Sequence, residues 1–575
     1  MDPRDAAYPT FTRLFNIIQA NCITGPCSDF LDNFFPRWEF TFNGQVLRYL
    51  EENDSLGRYD ILREPPQQQD LPRWLAEFAD VKIHDQPSVW RHAPGTGQND
   101  DWMTGTRLVM LGRREPLCWE EVDAVGYASD GNVSYQVALT HLYSLAATAM
   151  AAQPLRHFIH GFFIHNSVVE FWHFDHSGMS ASTPLHLGEE YADVLTILFC
   201  YGYKTHEDLG RQDIVDIDNS NNMLYLYTKN GNYELDRNPF VRRHRIFGAA
   251  LACYRARREQ SGRQWTHVVK FKWRESWVPP EEAVLKTIRE KKIPGMVSLV
   301  HDEQITTIAD LRREPCARLL RRLDRGDGED PPHPGQYGID KHSTATKKPF
   351  INRVFTCLVF TPIGTPLDTF TDNLELLHIL RDAIHAHRAL LQDANILHRD
   401  ISQGNIVICR AAERRRGVLI DLDNAIDLAA EQPRRGSMIG TTRFMAIGVQ
   451  RRSRHTYRHD LESFLYLLLQ VVGSNRSRSQ LSAASRLAKW DADDFQASAD
   501  AKEEDMRDDG FRRLLDEWMP EYAELKPVAW RLRDLIFGEE PELWLGTDVS
   551  TDGTNRLYND VLAVFDEAIF RLAQG

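Results

Sequence analysis

The stretch NILHRDISQGNIVI, Asn395 to Ile408, decides the fold. It sets His398, Arg399 and Asp400 side by side and places Asn405 five residues after the aspartate, between apolar pairs that read as strand edges. A third oxygen-bearing group follows sixteen residues later: in GVLIDLDNAI (417–426), Asp421 ends an apolar run. Aspartate, asparagine and aspartate make a hard, oxygen-only donor set. Such donors suit Mg2+, which takes one or two carboxylates and fills its remaining positions with water and phosphate oxygens. Two short strands joined by a loop would bring Asn405 and Asp421 near one another as metal donors. Asp400 is then left to orient a hydroxyl and accept its proton. That is the division of labour in phosphoryl transfer, where positioning and charge neutralisation supply most of the rate. H-R-D alone is an ordinary tripeptide of solvated loops. H-R-D-x-x-x-x-N followed at this distance by an apolar-D step is far more specific.

Three supporting features belong to such chemistry. A strand lysine for phosphate is offered by HVVKFKW (267–273), where Lys270 and Lys272 share one face. In the V-A-I-K pattern the residue two before the lysine is small and apolar and lies against adenine. For Lys270 that residue is Val268; for Lys272 it would be Lys270, so Lys270 is the candidate. A helix glutamate to hold the lysine comes from PPEEAVLKTIREKKIPGMVSLV (279–300), which reads as a proline-initiated helix, a turn and a strand. Glu281 has the E-x-x-apolar-apolar spacing, with Glu282 as the alternative. Paired acids in a first helical turn also compensate the helix dipole. A glycine loop is offered by IFGAALACYRA (246–256), with Gly248 and, five residues on, Cys253. Further along, Asp460 opens the apolar run HDLESFLYLLLQVVG (459–473), and the backbone amides of the H-R-D turn are its natural partners.

Together ILHRDISQGNIVI, GVLIDLDNAI, GTTRFMAIGV, HTYRHDLESFLYLLL, TPIGTPLDTF and FKWRESW resemble the fungal-type protein kinase domain family, a divergent branch of the protein-kinase-like fold. The dispersed similarity runs from about Arg156 to Gly538 and includes QPLRHFIHGFFI and EFWHFDHSGMSASTPLHL. The resemblance implies an α+β, bilobal fold and an ATP- and Mg2+-dependent Ser/Thr-type kinase acting on a protein substrate. Asp400 would be its catalytic base, Lys270 its phosphate lysine and Glu281 the ion-pair partner of that lysine. Asn405 and Asp421 would be the magnesium ligands. Leu358 would be the gatekeeper, and Val359 to Thr361 the hinge to adenine. Departures from the pattern are Ser402 in place of a lysine that supports the transferred phosphate, and Leu422 and Asp423 in place of the phenylalanine and glycine of D-F-G. Gly448 stands where a glutamate normally pairs with an arginine, so the helical lobe is expected to lose a buried ion pair. Two other readings stay open: the same chemistry on a small-molecule alcohol, and a pseudokinase that binds nucleotide or only scaffolds.

The remainder of the chain sets boundaries. Its 575 residues favour two to four domains, and 42% apolar content is ample for real cores. A net charge of −14 argues against a duplex nucleic-acid binder. Eight scattered cysteines without a C-x-x-C argue against zinc and against a disulfide framework. The polar start MDPRDAAYPT is unlike a signal peptide, and no apolar run approaches the roughly 20 residues that span a bilayer. The expectation is an intracellular setting, cytoplasmic or nuclear, with no nucleic acid and no membrane. Residues 1–240 read as an α/β accessory region without assigned chemistry, 241–364 as the kinase small lobe with a mobile insertion near 321–349, and 365–575 as the helical lobe. RHFIHGFFIHNSVVEFWHF (156–174) reads as a β-hairpin, WTHVVKFKW (265–273) and NRVFTCLVF (352–360) as strands, and DNLELLHILRDAIHAHRALLQD (372–393) as a capped helix. SNRSRSQ (474–480) and DADDFQASADAKEED (491–505) read as polar spacers, and HFDHSG (173–178) as a polar turn rather than a metal site.

Overall fold

The computed structural model describes residues 22–27, 30–35, 60–81, 88–92, 106–112, 118–129, 133–312, 350–410, 417–429, 440–473 and 485–574, apart from 219, 221, 244, 260, 493, 540 and 541. The insertion near 321–349 and the spacer at 474–480 lie outside the described residues. The structure is mixed α+β and forms two compact units. The first comprises Met1–Arg263, Val269–Val278 and Glu303–Cys357; the second comprises Gln264–Val268, Pro279–Asp302 and Leu358–Gly575. No helix among the described residues is long and apolar enough to cross a membrane.

Strands β1 (Cys22–Cys27), β2 (Ser88–His92), β3 (Thr106–Gly112), β4 (Val122–Ala128), β5 (Phe158–His165), β6 (Val168–Asp175), β7 (Gly178–Ser182) and β8 (Leu185–His186) form one sheet. Its order is β1-β7-β6-β5-β4-β3-β2, with β8 on β6. The predicted hairpin is β5–β6, with Phe158 opposite Asp175 and His165 opposite Val168. Because successive side chains point to opposite faces, its apolar run feeds two cores. Phe162, Ile164, Val169 and Phe171 join Trp74 and Leu198, from helices Leu71–Asp80 and Tyr191–Cys200. Ile159, Phe163, Trp172 and Phe174 join Leu142 and Ala146 of helix Tyr135–Ala152 on the other face. Within HFDHSG, His173–Asp175 end β6, His176 and Ser177 make the turn and Gly178 opens β7, and the whole segment is buried. Asp175 accepts hydrogen bonds from the Ser177 and Gly178 amides at 2.7 and 3.0 Å and is gripped by Arg312 Nε and Nη2 at 2.5 and 2.9 Å. Burial alone would raise this carboxyl; Arg312 and His173 outweigh it and hold the group well below the usual carboxylate range.

A second sheet contains β9 (Val215–Asp218), β10 (Met223–Thr228), β11 (Gly231–Asp236), β12 (Val241–Arg243), β13 (Leu251–Arg258), β14 (His267–Glu275), β15 (Ser298–Thr307) and β16 (Arg353–Thr361). The order is β15-β16-β14-β13-β11-β10-β9, with β12 on β13. β14 and β16 are the strands read from WTHVVKFKW and NRVFTCLVF.

The second unit is mainly helical. Helix Asn373–Ala394 begins as its sequence dictates: Asp372 Oδ1 accepts from the Glu375 amide at 2.7 Å, and Glu375 Oε2 from the Thr371 amide at 2.7 Å. Helix Tyr457–Gly473 is buried from Tyr457 to Val472, as expected of a helix apolar nearly all round. The reading of 491–505 as a spacer is corrected. Phe495–Met506 is a helix whose cap, Asp494, accepts from the Gln496 amide at 2.9 Å. Ser498, Ala499, Lys502, Asp505 and Met506 form its buried stripe. The stripe has helical spacing, but its residues are mostly polar, so hydrophobic periodicity does not reveal it.

Candidate active site

Two small ladders in the second unit fix the decisive loop. Ile406–Ile408 pairs with Gly417–Leu419, and Ile396–Leu397 pairs with Ile426–Asp427. Residues 398–405 and 420–425 are therefore both pinned at each end, and they face one another. The Ile420 amide donates to the Asn405 carbonyl at 3.0 Å, and His398 Nε2 lies 3.1 Å from the Ile420 carbonyl. Arg399 and Asp421 take left-handed backbone angles, φ 67° and 61°. For residues with a Cβ this costs about 1–3 kcal/mol each and persists where surrounding contacts over-determine the chain.

Within that frame Asp400 is held by three donors. Its Oδ1 accepts from the Thr441 amide and hydroxyl, both at 3.0 Å, and its Oδ2 from Asn424 Nδ2 at 3.1 Å. Asn405 Nδ2 donates to the Asp400 carbonyl at 2.8 Å, which leaves Asn405 Oδ1 as an oxygen donor. Behind the loop, Asp460 accepts from the Arg399 amide at 3.1 Å, the kind of partner the sequence suggests. Asp460 also meets two histidines, His387 Nε2 at 2.8 Å and His455 Nε2 at 2.7 Å, and Tyr558 Oη lies 2.7 Å from His387 Nδ1. Burial would raise the Asp460 carboxyl; His455 and His387 outweigh it and hold the group well below the ordinary carboxylate range.

Glu281, the first residue of helix Glu281–Lys291, is buried, and its Oε1 accepts from the Leu422 amide at 3.1 Å. Glu282 is half-buried. Glu281, Asp421 and Asp423 each offer an oxygen, and these atoms lie within 4.8 Å of one another. Asp423, which stands where D-F-G has glycine, thus adds a carboxylate beside Asp421. This cluster is all oxygen, without thiolate or imidazole, and such a donor set fits Mg2+.

The structure thus joins Glu281, Asp400, Asn405 and Asp421 through short hydrogen-bonded links inside one unit. Val268, Leu358, Val359 and Thr361 belong to the same unit. Val268 is half-buried and packs against the core that holds Leu285 and Leu358. Val359 is buried, and Thr361 Oγ1 donates to the Thr266 carbonyl at 3.1 Å. Lys270, Gly248 and Cys253 belong to the first unit. Lys270 is only 5% exposed, whereas Lys272 is half-buried. Gly248 takes φ 111° and donates its amide to the His176 carbonyl at 2.8 Å, and Cys253 is buried on β13.

Gly448 offers no carboxylate, and the helical core holds a buried ion pair of its own nearby. Arg458 Nη1 pairs with Glu462 Oε2 at 2.7 Å inside the helical core. Glu462 Oε1 accepts from the Ile447 amide and from Tyr466 Oη, both at 2.7 Å. Glu462 therefore holds the amide of the residue next to Gly448. A Cβ at Gly448 would meet His459 Nε2 at 2.6 Å, so a larger residue there needs that ring to shift.

Three further residues support the site from outside its motif positions: Thr441, Asn424 and Lys502. Thr441 sits inside the quoted GTTRFMAIG segment, and Asn424 follows DLD directly, so the sequence held a positional hint for both. Lys502 carried none. Its Nζ donates to the carbonyls of Thr442 at 2.8 Å and Met445 at 2.7 Å. Burial pushes this ammonium down from 10.5 to about 7, with Glu462 and Asp491 opposing the shift. Between those values the unfolded chain holds the proton more tightly than the folded one, so stability from this group is lowest below pH 7 and rises with pH. Denaturant unfolding of wild type and Lys502→Met should give a stability difference that climbs towards higher pH, by up to ~1.4 kcal/mol per pH unit. A difference independent of pH between 7 and 10 contradicts it.

A family model for fungal protein kinases matches residues 109–472, more than half of the chain. No curated protein matches it.

Proposed function

The chain belongs to the fungal protein kinase family, and on that premise we propose that it transfers the γ-phosphoryl group of Mg·ATP to a serine or threonine hydroxyl of a protein. The observation that carries this reading is the donor set on Asp400. A carboxylate offers about four acceptor sites. Among the described residues the Thr441 amide, the Thr441 hydroxyl and Asn424 take three of them, and one on Oδ2 remains for an acceptor hydroxyl. Asp400 then orients that hydroxyl and takes its proton as the bond to phosphorus forms. Mg·ATP, when bound, supplies the phosphoryl group and the positive charge that neutralises its oxygens. Asn405 and Asp421 would hold the metal. Lys270, with Glu281 as its partner, would hold phosphate oxygens, with Gly248 and Cys253 on the phosphate side. Val268, Leu358 and the Val359–Thr361 backbone would receive adenine. Residues 241–364 and 365–575 would be the two lobes, and 1–240 an accessory region.

Wild-type protein incubated with radiolabelled ATP, Mg2+ and generic protein acceptors is expected to label serine or threonine. Absence of label on any acceptor overturns the proposal. Mg·ATP is also expected to raise the melting temperature, and a wild type that shows no such shift favours the scaffold reading. Asp421→Ala removes a metal donor and should weaken Mg-dependent nucleotide binding at least about tenfold, ~1.4 kcal/mol. An unchanged shift in that variant removes Asp421 from the metal site.

A further inference from the structure

We propose that Lys502 is a positioning residue for phosphoryl transfer: it fixes the Thr441–Met445 turn and, through Thr441, the carboxylate of Asp400. The inference rests on Asp400 being the base.

Lys502 is 0% exposed on helix Phe495–Met506. A buried ammonium is costly unless it is paired. This one is met by carbonyls and rings: its Nζ binds the Thr442 and Met445 carbonyls and lies 5.1 Å from the Tyr466 ring centroid and 5.8 Å from that of Trp490. An apolar side chain would fill the same space without that cost. It would take the lysine donor from both carbonyls, leaving the Thr442 carbonyl to Gln450 and the Met445 amide. Those carbonyls belong to the 3-10 turn Thr442–Phe444 and the residue after it. Gln450 Nε2 reinforces the grip, donating to the Thr442 carbonyl at 3.1 Å and to Ser498 Oγ at 2.9 Å. The residue that opens the turn, Thr441, binds Asp400 Oδ1 through both its amide and its hydroxyl. Lys502 is thus two links from the reacting carboxylate, and its reach explains why a helix outside every kinase-like motif carries a buried charge.

Phosphoryl transfer at saturating Mg·ATP should be measured for Lys502→Met, Thr441→Val and the double variant. Each single change is expected to lower kcat about 10- to 100-fold, the scale of a small misplacement of a reacting group, with the KM for ATP little changed. Because both act through one chain, the double variant should be no slower than the slower single variant; independent, multiplying effects overturn the proposal. Hydrogen exchange supplies a readout that does not need activity. Lys502→Met should speed exchange at the Thr441, Phe444 and Met445 amides while the core of helix Tyr457–Gly473 stays protected. Unchanged exchange at those three amides also overturns it. If wild type transfers no phosphate, the kinase reading falls, and exchange alone decides whether Lys502 sets the turn. Lys502→Gln, which keeps a donor, replaces the methionine variant should that one not fold. Failure of both to fold marks the lysine as purely structural and overturns the proposal.

Discussion

Asp400→Asn should abolish phosphoryl transfer while leaving the Mg·ATP-dependent thermal shift nearly intact. The substitution preserves shape and can keep the two Thr441 hydrogen bonds through its carbonyl oxygen. Its amide nitrogen, however, then faces Asn424 Nδ2, so two donors meet where a donor and an acceptor stood 3.1 Å apart. More important, a carboxamide cannot accept the proton of the attacking hydroxyl. General-base catalysis contributes about 10²- to 10⁴-fold, which sets the expected loss. Asn405 and Asp421 are untouched, so nucleotide and metal should still bind. A variant that retains a tenth or more of wild-type transfer removes Asp400 from the role of base. A variant that loses nucleotide binding as well shows that the loop has collapsed, and the residue's chemistry must then be sought in another substitution.

The second large effect concerns stability. Glu462→Leu should destabilise the helical core by about 3–5 kcal/mol, the usual cost of removing one partner of a buried ion pair. Three groups are stranded together: the Arg458 guanidinium, the Ile447 amide and the Tyr466 hydroxyl. Arg458 keeps the carbonyls of Ile536 and Trp544, each 2.9 Å from Nη2, and its stacking over Phe537 and Trp544. Those contacts do not neutralise its charge. Removing both charges in Arg458→Met/Glu462→Leu should recover much of the loss, since the unpaired charge dominates the penalty. Denaturant unfolding checks both variants. A cost below about 1 kcal/mol for Glu462→Leu means that the pair is not the anchor of the Ile447 segment.

Much of this architecture is readable along the chain, because some signals act over short spans. The β5–β6 hairpin follows from two β-rich runs around HNS, and helix Asn373–Ala394 from Asp372 and Glu375 three residues apart. The fixed spacing of Asp400, Asn405 and Asp421 places them on a loop and two strand ends before any coordinates are known. In each case the cause is local: turn residues, capping geometry and periodicity are properties of a few neighbouring residues.

Other features have no local cause. Glu462 meets the Ile447 amide and Arg458 only because helix Tyr457–Gly473 packs against Ile447. His387 reaches Asp460 from a distant helix, and Tyr558 backs His387 from another. Lys502 looks like a solvated lysine in an acidic stretch until its helix is docked and its ammonium is enclosed by Thr442, Met445, Tyr466 and Trp490. A buried polar group needs a partner but not a particular sequence neighbour, so any segment that packing brings within hydrogen-bond reach can provide one. Motif spacing therefore announces the candidate reacting groups, whereas the groups that hold them in place are chosen by which helices come to lie against the loop.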